Sequence, residues 1–330
     1  MALIPALPRH RLLLVFNPVA GRGRAARRAA ALDGACRALG AETFLAATRG
    51  PGDARILARG NGCGADACVV LGGDGTVAEA LNGAADAAGD GRPPLPVAVA
   101  PSGTANVLAS FLGIPAGRGR RALGETARLA VWGPCRPLDL VSVTSLGPSA
   151  AGGADPPRRC FLCAGCGFDA EVVDRVHRAR RGTLSQSRYL RPALAALFRR
   201  RPGLAVTVDG RELAGDATFV MVGNVNSYGG HFRFFGSGSR PDDGRLDVRA
   251  MRGRGLADWL RFGWRAWRGK WPEGDPRAPC LGGRRVEVRP ADPARTARYQ
   301  TDGDPGGDLP AAFEILPGAG RVVAPDKAPA

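Results

Sequence analysis

The segment Cys68-Val-Val-Leu-Gly-Gly-Asp-Gly-Thr76, running on as Val77-Ala-Glu-Ala-Leu-Asn82, decides how the rest of the chain is read. An apolar run stops abruptly at Gly72-Gly73-Asp74-Gly75, and helix-type spacing begins at once. Glycines at the carboxyl end of a strand let the backbone approach a ligand and turn its N–H groups inward. The helix that follows adds unpaired N–H groups and a positive dipole end, so the turn suits a phosphate. Asp74 is unusual in such a place. A carboxylate in an anion-binding turn is costly unless it meets a cation, such as nucleotide-bound Mg2+ or an arginine. A plainer reading makes Thr76 an N-cap and Glu79 its capping-box partner. Both readings can hold together, but a cap alone requires neither three glycines nor an aspartate.

The same grammar recurs on either side. Arg11–Phe16 reads as a first buried strand, entering Asn17-Pro-Val-Ala-Gly-Arg-Gly-Arg24 and then an Ala/Arg-rich helix. Gly21-x-Gly23-x-x-Ala26 has the outline of a dinucleotide fingerprint, with Glu42 about where a ribose-binding acid would stand. In a chain this rich in Ala and Gly that match carries little on its own. A second strand near Glu42–Leu45 leads to Thr48-Arg-Gly-Pro-Gly-Asp53 and another helix, and Val97–Ala100 ends in Pro101-Ser-Gly-Thr-Ala-Asn106. In an open parallel sheet such turns share one edge, which gathers Asn17–Gly23, Gly72–Thr76 and Ser102–Asn106 around one crevice. No G-x-x-x-x-G-K-[ST] is present, so a Walker-type site is excluded.

The pattern changes near Cys135. Arg136–Val143 and Arg159–Gly167 read as an antiparallel pair joined by a Gly/Pro/Ser-rich tip, and a basic helical stretch spans Glu171–Arg201. Leu204–Val208, Asp209-Gly210 and Glu212–Leu213 form a hairpin signal. Further strands are expected at Ala217–Val222, Leu246–Ala250, Arg285–Val288 and Phe313–Leu316. Leu256–Trp271 interrupts them with four of the five tryptophans. At helical spacing Leu256, Leu260, Trp264, Trp267 and Trp271 share a face, flanked by Arg254, Arg261, Arg265 and Arg268. That segment suits a membrane interface or, equally, an aromatic stripe packed on a sheet.

With 330 residues there is room for two cores, and a hydrophobic content of 45% is ordinary for a globular chain. The net charge of +16 is not ordinary, and implies attraction to anionic partners without choosing among nucleic acid, lipid and small molecules. No apolar run approaches the roughly 20 residues of a spanning helix. Leu12–Phe16 is too short for a signal-peptide core and runs into Asn17-Pro18 without a small-residue cleavage site, so a cytosolic protein is expected. Cys160, Cys163 and Cys166 form C-x-x-C-x-x-C. With no evident fourth ligand and only three histidines in the chain, packed thiols are preferred to a metal site.

Taken in order, these segments resemble the diacylglycerol-kinase catalytic superfamily, specifically the soluble bacterial lipid kinases related to sphingosine kinases. The resemblance covers nearly the whole chain. It rests on Asn17-Pro-Val-Ala-Gly21, Gly72-Gly-Asp-Gly-Thr76, Pro101-Ser-Gly-Thr-Ala-Asn106 and Gly165-Cys-Gly-Phe-Asp-Ala170. Gly223-Asn-Val-Asn-Ser-Tyr-Gly-Gly230, Asp243-Gly-Arg-Leu-Asp247 and Thr301-Asp-Gly-Asp304 complete the set. Gly-Gly-Asp-Gly-Thr alone is shared with NAD kinases and phosphofructokinases; the ordered set is more specific.

The resemblance implies a Rossmann-like α/β domain of NAD kinase/diacylglycerol kinase type over 1–135, with 317–330 expected to complete it, and a β-sandwich domain over 136–316. It implies phosphoryl transfer from ATP to the hydroxyl of a diacylglycerol-like, sphingoid-like or phosphatidylglycerol-like lipid, with the lipid entering between the domains. Nucleotide contacts would come from Asn17, Gly21, Thr48, Gly72, Gly73, Asp74, Gly75, Thr76, Glu79, Gly103, Thr104 and Asn106. Asp302 or Asp304 would be the general base, and Asp74 and Asp139 part of a carboxylate and Mg2+ network. A structural Mg2+ would use Asp243 with the carbonyls of Arg240 and Arg245. The partner expected is a membrane lipid at an anionic inner surface, reached from the cytoplasm, and not nucleic acid. The alternatives are a kinase of a soluble substrate such as NAD, and a binding protein that has lost catalysis. The sequence departs from many relatives at Val107, where an acid commonly follows the Asn, at Asp304, commonly Glu, and at Ser237 and Ser239, commonly Pro and Ala.

Overall fold

The computed structural model describes residues 8–20, 23–103, 105–114, 117, 119–147, 158–178, 201–229, 232–236, 238–253 and 255–325. The chain divides into two compact units, one running to Leu138 and taken up again from Gly318, the other Asp139–Pro317.

The first unit alternates strand and helix: β1 Arg11–Phe16, α1 Ala25–Ala38, β2 Glu42–Ala47, α2 Asp53–Gly60, β3 Ala67–Gly72, α3 Asp74–Gly89, β4 Val97–Pro101, α4 Val107–Phe111 and α5 Arg120–Trp132. The strands are parallel in the order β2-β1-β3-β4. β3 and β4 are buried at every residue, as a central strand covered by helices on both faces must be. One core gathers Leu12, Leu14, Leu32, Val69, Leu71, Ala127 and Val131. α2 lies close enough to α3 that a Cβ on Gly83 would stand 2.1 Å from the Arg55 carbonyl. Because β2 lies on one side of β1 and β3 on the other, the direction of winding reverses between β1 and β3. In such sheets ligands bind outside the carboxyl ends at that reversal.

The second unit takes up β5 Cys135–Ser145, β6 Arg158–Cys160, β7 Cys163–Gly167, α6 Phe168–Arg178, β8 Leu204–Val208, β9 Arg211–Ala217, β10 Phe219–Gly223 and β11 Leu246–Met251. It continues through α7 Leu256–Arg268, β12 Cys280–Gly283, β13 Arg285–Pro290, β14 Arg298–Thr301, β15 Asp304–Asp308 and β16 Ala311–Val323, which passes into the first unit at Gly318 and there pairs its last residues with β4. One antiparallel sheet runs β12-β11-β10-β7-β14-β15; in the other β16 pairs with β13, β13 with β8, and β8 with β9. Val206, Val286 and Phe313 of one sheet share a core with Cys166, Val220, Val248 and Tyr299 of the other, and the Tyr299 ring meets Phe313 edge-on at 5.6 Å. The unit is a β-sandwich. Asp209 (φ 49) and Gly210 (φ 79) make the expected two-residue hairpin turn.

Several expectations are corrected. Arg159–Gly167 is not one strand: β6 pairs with β5, the chain bends at Phe161-Leu162, and β7 joins the other sheet. Asp302-Gly303 is a strong turn signal in the sequence, and it is the turn of the β14–β15 hairpin, but the two strands are absent from those expected, because Pro305, Gly306 and Gly307 obscure the pattern. The helix from Phe168 ends its described span at Arg178, and 179–200 lie outside the described residues. Of the predicted Trp face, Leu256, Leu260, Trp264 and Trp267 are exposed while Trp259, Phe262 and Ala266 are buried. Trp271 leaves that face, because Gly269 (φ 62) ends the helix in the left-handed region. Its ring then stacks on Phe262. Cys160, Cys163 and Cys166 are buried free thiols whose pKa values burial pushes up, and among the described residues no cluster of three or more His, Cys, Asp or Glu could hold a metal.

Candidate active site

In the first unit the three predicted turns meet at the carboxyl edge of the sheet. Asn17 follows β1, its N–H donating to Leu71 O at 3.3 Å, and its Oδ1 accepts Val19 N–H at 3.0 Å. Ser102 N–H donates to Gly72 O at 2.9 Å, tying the loop after β4 to the loop after β3. The contact tightens one residue on: a Cβ on Gly103 would stand 2.6 Å from Gly73 Cα, and one on Gly73 would stand 3.2 Å from Gly103 Cα. The two loops touch backbone to backbone, which only glycine permits. Asn106, in the left-handed region (φ 47), closes its loop by accepting from Gly103 N–H at 2.8 Å and donating to Gly103 O at 3.0 Å. Arg28 braces it from behind, donating to Ser102 Oγ at 2.7 Å and to Gly117 O at 3.2 Å. Sequence reading missed Arg28; an arginine in an Arg-rich helix carries no local signal.

α3 starts at Asp74 with Gly73 as N-cap and no side chain capping it, so its first N–H groups face the turn. This corrects the capping-box reading of Thr76 and Glu79. Thr76 sits inside the first turn, and Glu79 accepts N–H bonds from Gly52 (2.8 Å) and Ala54 (3.2 Å), capping α2 instead. Gly75 at the tip is exposed. Asp74 is half-buried; burial pushes its carboxyl pKa up, while N–H groups around Val107 and Leu108 pull it back. Thr48 is buried, its N–H on Phe16 O at 2.9 Å. Gly21 and Thr104 lie outside the described residues. Glu42 does not reach this edge: it opens β2 at the opposite end and pairs with Arg11 at 3.1 Å.

In the second unit the Asp302-Gly303 pair is the turn of the β14–β15 hairpin, both residues at positive φ (52 and 88). The Asp302 carboxylate accepts N–H bonds from Phe161 (3.0 Å), Leu162 (2.9 Å) and Cys163 (3.1 Å), and so pins the bend where the chain changes sheets. A carboxylate has about four lone-pair sites, and three are thereby taken. Asp304 is exposed, with one oxygen 3.1 Å from His177 Nε2. Behind the turn stands a buried chain. Tyr228 OH donates to Asp169 Oδ1 at 2.6 Å, Gln300 Nε2 donates to Asp169 Oδ2 at 2.7 Å, and Gln300 Oε1 accepts Gly303 N–H at 2.7 Å. Burial raises the Asp169 carboxyl to about 6 against these donors. Gly165 is required here, since a Cβ would stand 2.0 Å from Asp169 Oδ2. The sequence flagged this motif but gave Asp169, Gln300 and His177 no role.

Asp139 and Asp243 share one turn. Asp139 is buried, its carboxylate accepting Gly244 N–H at 2.7 Å and its N–H donating to Pro241 O at 2.7 Å. Asp243 Oδ1 accepts Arg245 N–H at 3.0 Å, and the Arg240 guanidinium pairs with Asp242 at 3.0 Å. Asp74 belongs to the first unit and Asp139 to the second. Mg2+ commonly uses one or two carboxylates and completes its shell with water and substrate phosphates. Asp74, the single carboxylate within the Gly72–Thr76 turn, fits an ion carried in by a nucleotide.

The diacylglycerol kinase catalytic domain model matches residues 11–143, and the YegS C-terminal NAD kinase beta sandwich-like domain model matches 163–324. A diacylglycerol kinase of Bacillus subtilis is 29% identical over 309 residues, 93% of each chain. One of Mycobacterium tuberculosis is 28% identical over 313 residues, 94% of this chain and 93% of that one. The crystal structure of a diacylglycerol kinase from Bacillus anthracis superposes with a TM-score of 0.71 at 19% identity, covering 98% of this chain and 100% of that one, and so shares its fold. The chain belongs to the diacylglycerol-kinase catalytic superfamily, with its α/β catalytic domain and β-sandwich partner domain.

Proposed function

We propose that the protein transfers the γ-phosphoryl group of ATP to a hydroxyl of a membrane lipid, with Asp304 as the general base. The observation that carries the reading is the contact of Gly73 with Gly103 beside the uncapped start of α3. Two glycine turns and a row of N–H donors thus share the carboxyl edge of the sheet next to the winding reversal, where a polyphosphate would gain most from them. Diacylglycerol kinases among the relatives support a lipid acceptor.

Catalysis of this kind is positioning and charge stabilisation, with a carboxylate to take the hydroxyl proton. The turn Gly72–Thr76 would cradle the phosphates, Asn17, Thr48 and Asn106 bordering it. The acceptor O–H gives its proton to Asp304 as its oxygen bonds to the γ-phosphorus, and the bond to the bridging β–γ oxygen breaks, releasing ADP. Asp304 is the better base because it is open, whereas the lone pairs of Asp302 are held by the bend. Asp302 and His177 position it. Mg2+, when bound, would offset negative charge on the phosphate oxygens. Asp74 and Asp139 are the carboxylates that would serve it, and a separate structural Mg2+ would use Asp243 with the carbonyls of Arg240 and Arg245.

The test is transfer of labelled γ-phosphate to a total lipid extract in detergent micelles, with and without Mg2+. A labelled lipid that needs Mg2+ supports the reading and names the acceptor class. Label confined to NAD or another soluble compound would replace it with a soluble-substrate kinase. Bound ATP with no label anywhere would mark a relative that has lost catalysis.

A further inference from the structure

α7 carries two apolar faces and the fold uses one. Trp259, Phe262 and Ala266 are buried, Trp259 stacking on Phe168 at 4.3 Å. On a second face Leu256, Leu260, Trp264 and Trp267 keep 46%, 64%, 60% and 56% of their surface exposed. Trp264 and Trp267 lie side by side, ring centroids 5.3 Å apart. Single exposed apolar residues need no explanation, but a contiguous stripe of two Leu and two Trp along three turns does.

The charge around that stripe is one-sided. From 252 to 271 the chain carries Arg252, Arg254, Arg261, Arg265, Arg268 and Lys270 against Asp258 alone. Asp258 pairs with Arg277, and Arg265 with Asp275. Among the described residues neither Arg268 nor Lys270 has a carboxylate partner, and the Arg268 guanidinium lies over the Trp264 ring at 5.6 Å. Both line an open cleft of about 1010 Å³ beside the exposed Trp264, whose acids are Glu273 and Asp275.

From this geometry we propose that the outer face of α7 docks on an anionic lipid bilayer, inserting Leu260, Trp264 and Trp267 at the headgroup level with Arg268 and Lys270 against lipid phosphates. A helix of this kind lies in the plane of the interface, where Trp combines an apolar body with a polar edge and Arg reaches outward along its stem. The same cations would attract a nucleic acid, but Leu256 and Leu260 have no hydrogen-bonding or stacking use there, whereas hydrocarbon rewards them directly. The docking names the partner surface of the lipid-kinase reading and rests on that reading for its purpose, though not for its measurement.

The experiment is flotation of the full chain, without nucleotide, on phosphatidylcholine vesicles with and without phosphatidylglycerol. Phosphoryl transfer to micellar lipid is measured in parallel. The wild type is expected to float with the anionic vesicles, to stay behind with the neutral ones, and to shift its Trp emission to the blue. Leu260→Glu with Trp264→Glu, both at exposed positions, should weaken vesicle binding by roughly tenfold or more while micellar turnover stays within about twofold. Arg268→Glu should weaken binding to anionic vesicles and flatten its salt dependence. Equal flotation of the double variant and the wild type would overturn the docking face. So would binding to a single-stranded oligonucleotide that is lost in the double variant while vesicle binding is unchanged. Absent turnover with intact, variant-sensitive flotation would fault the kinase reading and leave the docking face standing.

Discussion

Asp302 holds Leu162: its Oδ1 accepts the Leu162 N–H at 2.9 Å, and Phe161 and Cys163 donate to the same carboxylate. Phe161 and Leu162 lie between β6 and β7, outside either ladder, and a buried unpaired N–H is costly. One of the two aspartates that the sequence motifs nominate for proton transfer is thus engaged in closing the second unit.

Asp302 and Asp304 should therefore fail differently. Asp302→Asn leaves one oxygen for three donors and should cost about 1–3 kcal/mol of stability. Asp304→Asn, at an exposed position, should leave the melting temperature within about 2 °C and cut turnover by roughly a hundredfold or more. Calorimetry with initial rates separates the two. A stable Asp302→Asn protein with no turnover would return the role of base to Asp302.

Gly103→Ala places a methyl group 2.6 Å from Gly73 Cα and 3.0 Å from Asn106 Oδ1. Neither backbone can yield without opening the Gly72–Thr76 turn. ATP affinity by titration calorimetry should fall by roughly tenfold or more, with a stability cost of about 1–3 kcal/mol. Unchanged affinity would remove this contact from the nucleotide site.

Glu79→Ala removes the cap on α2. The loss should be about 1–2 kcal/mol, with faster amide exchange concentrated at Gly52 and Ala54, whose N–H groups lose their acceptor. Exchange spread evenly over α3 instead would mean that Glu79 serves its own helix.

Asp169 supplies a pH signature. Its carboxyl is raised from 3.8 to about 6 by burial, so the folded protein binds this proton more tightly than the unfolded chain does. The stability it contributes is fully present below 3.8 and is lost as pH rises through about 6. Against the non-titrating Asp169→Asn variant, the wild type should gain up to about 3 kcal/mol between neutral and acid pH. Denaturation midpoints that run parallel across that window would show that Asp169 does not titrate there.

Much of the first unit was legible because its signals are local. An apolar run, a glycine turn and a helix start are contiguous in sequence, and repeated they force a parallel sheet with its turns at one edge. Asn17, Gly72, Gly73, Gly103 and Asn106 meet there as their positions after β1, β3 and β4 require. The partners of Glu79 and Asp302 were not legible. They lie 27 and 140 residues away, and nothing in Gly52 or Leu162 advertises an N–H in need of an acceptor.

The sequence by itself determined the strand–turn–helix punctuation, the glycines that let two loops touch, and the period that lines Leu256, Leu260, Trp264 and Trp267 along one face of α7. The tertiary structure decided which face of α7 is covered and which carboxylates are consumed as backbone clamps. It also decided that Asp304 rather than Asp302 is left open. The reason is physical: turn and helix preferences belong to neighbouring residues, whereas the fate of a polar group depends on the donors, acceptors and water that the folded chain leaves beside it.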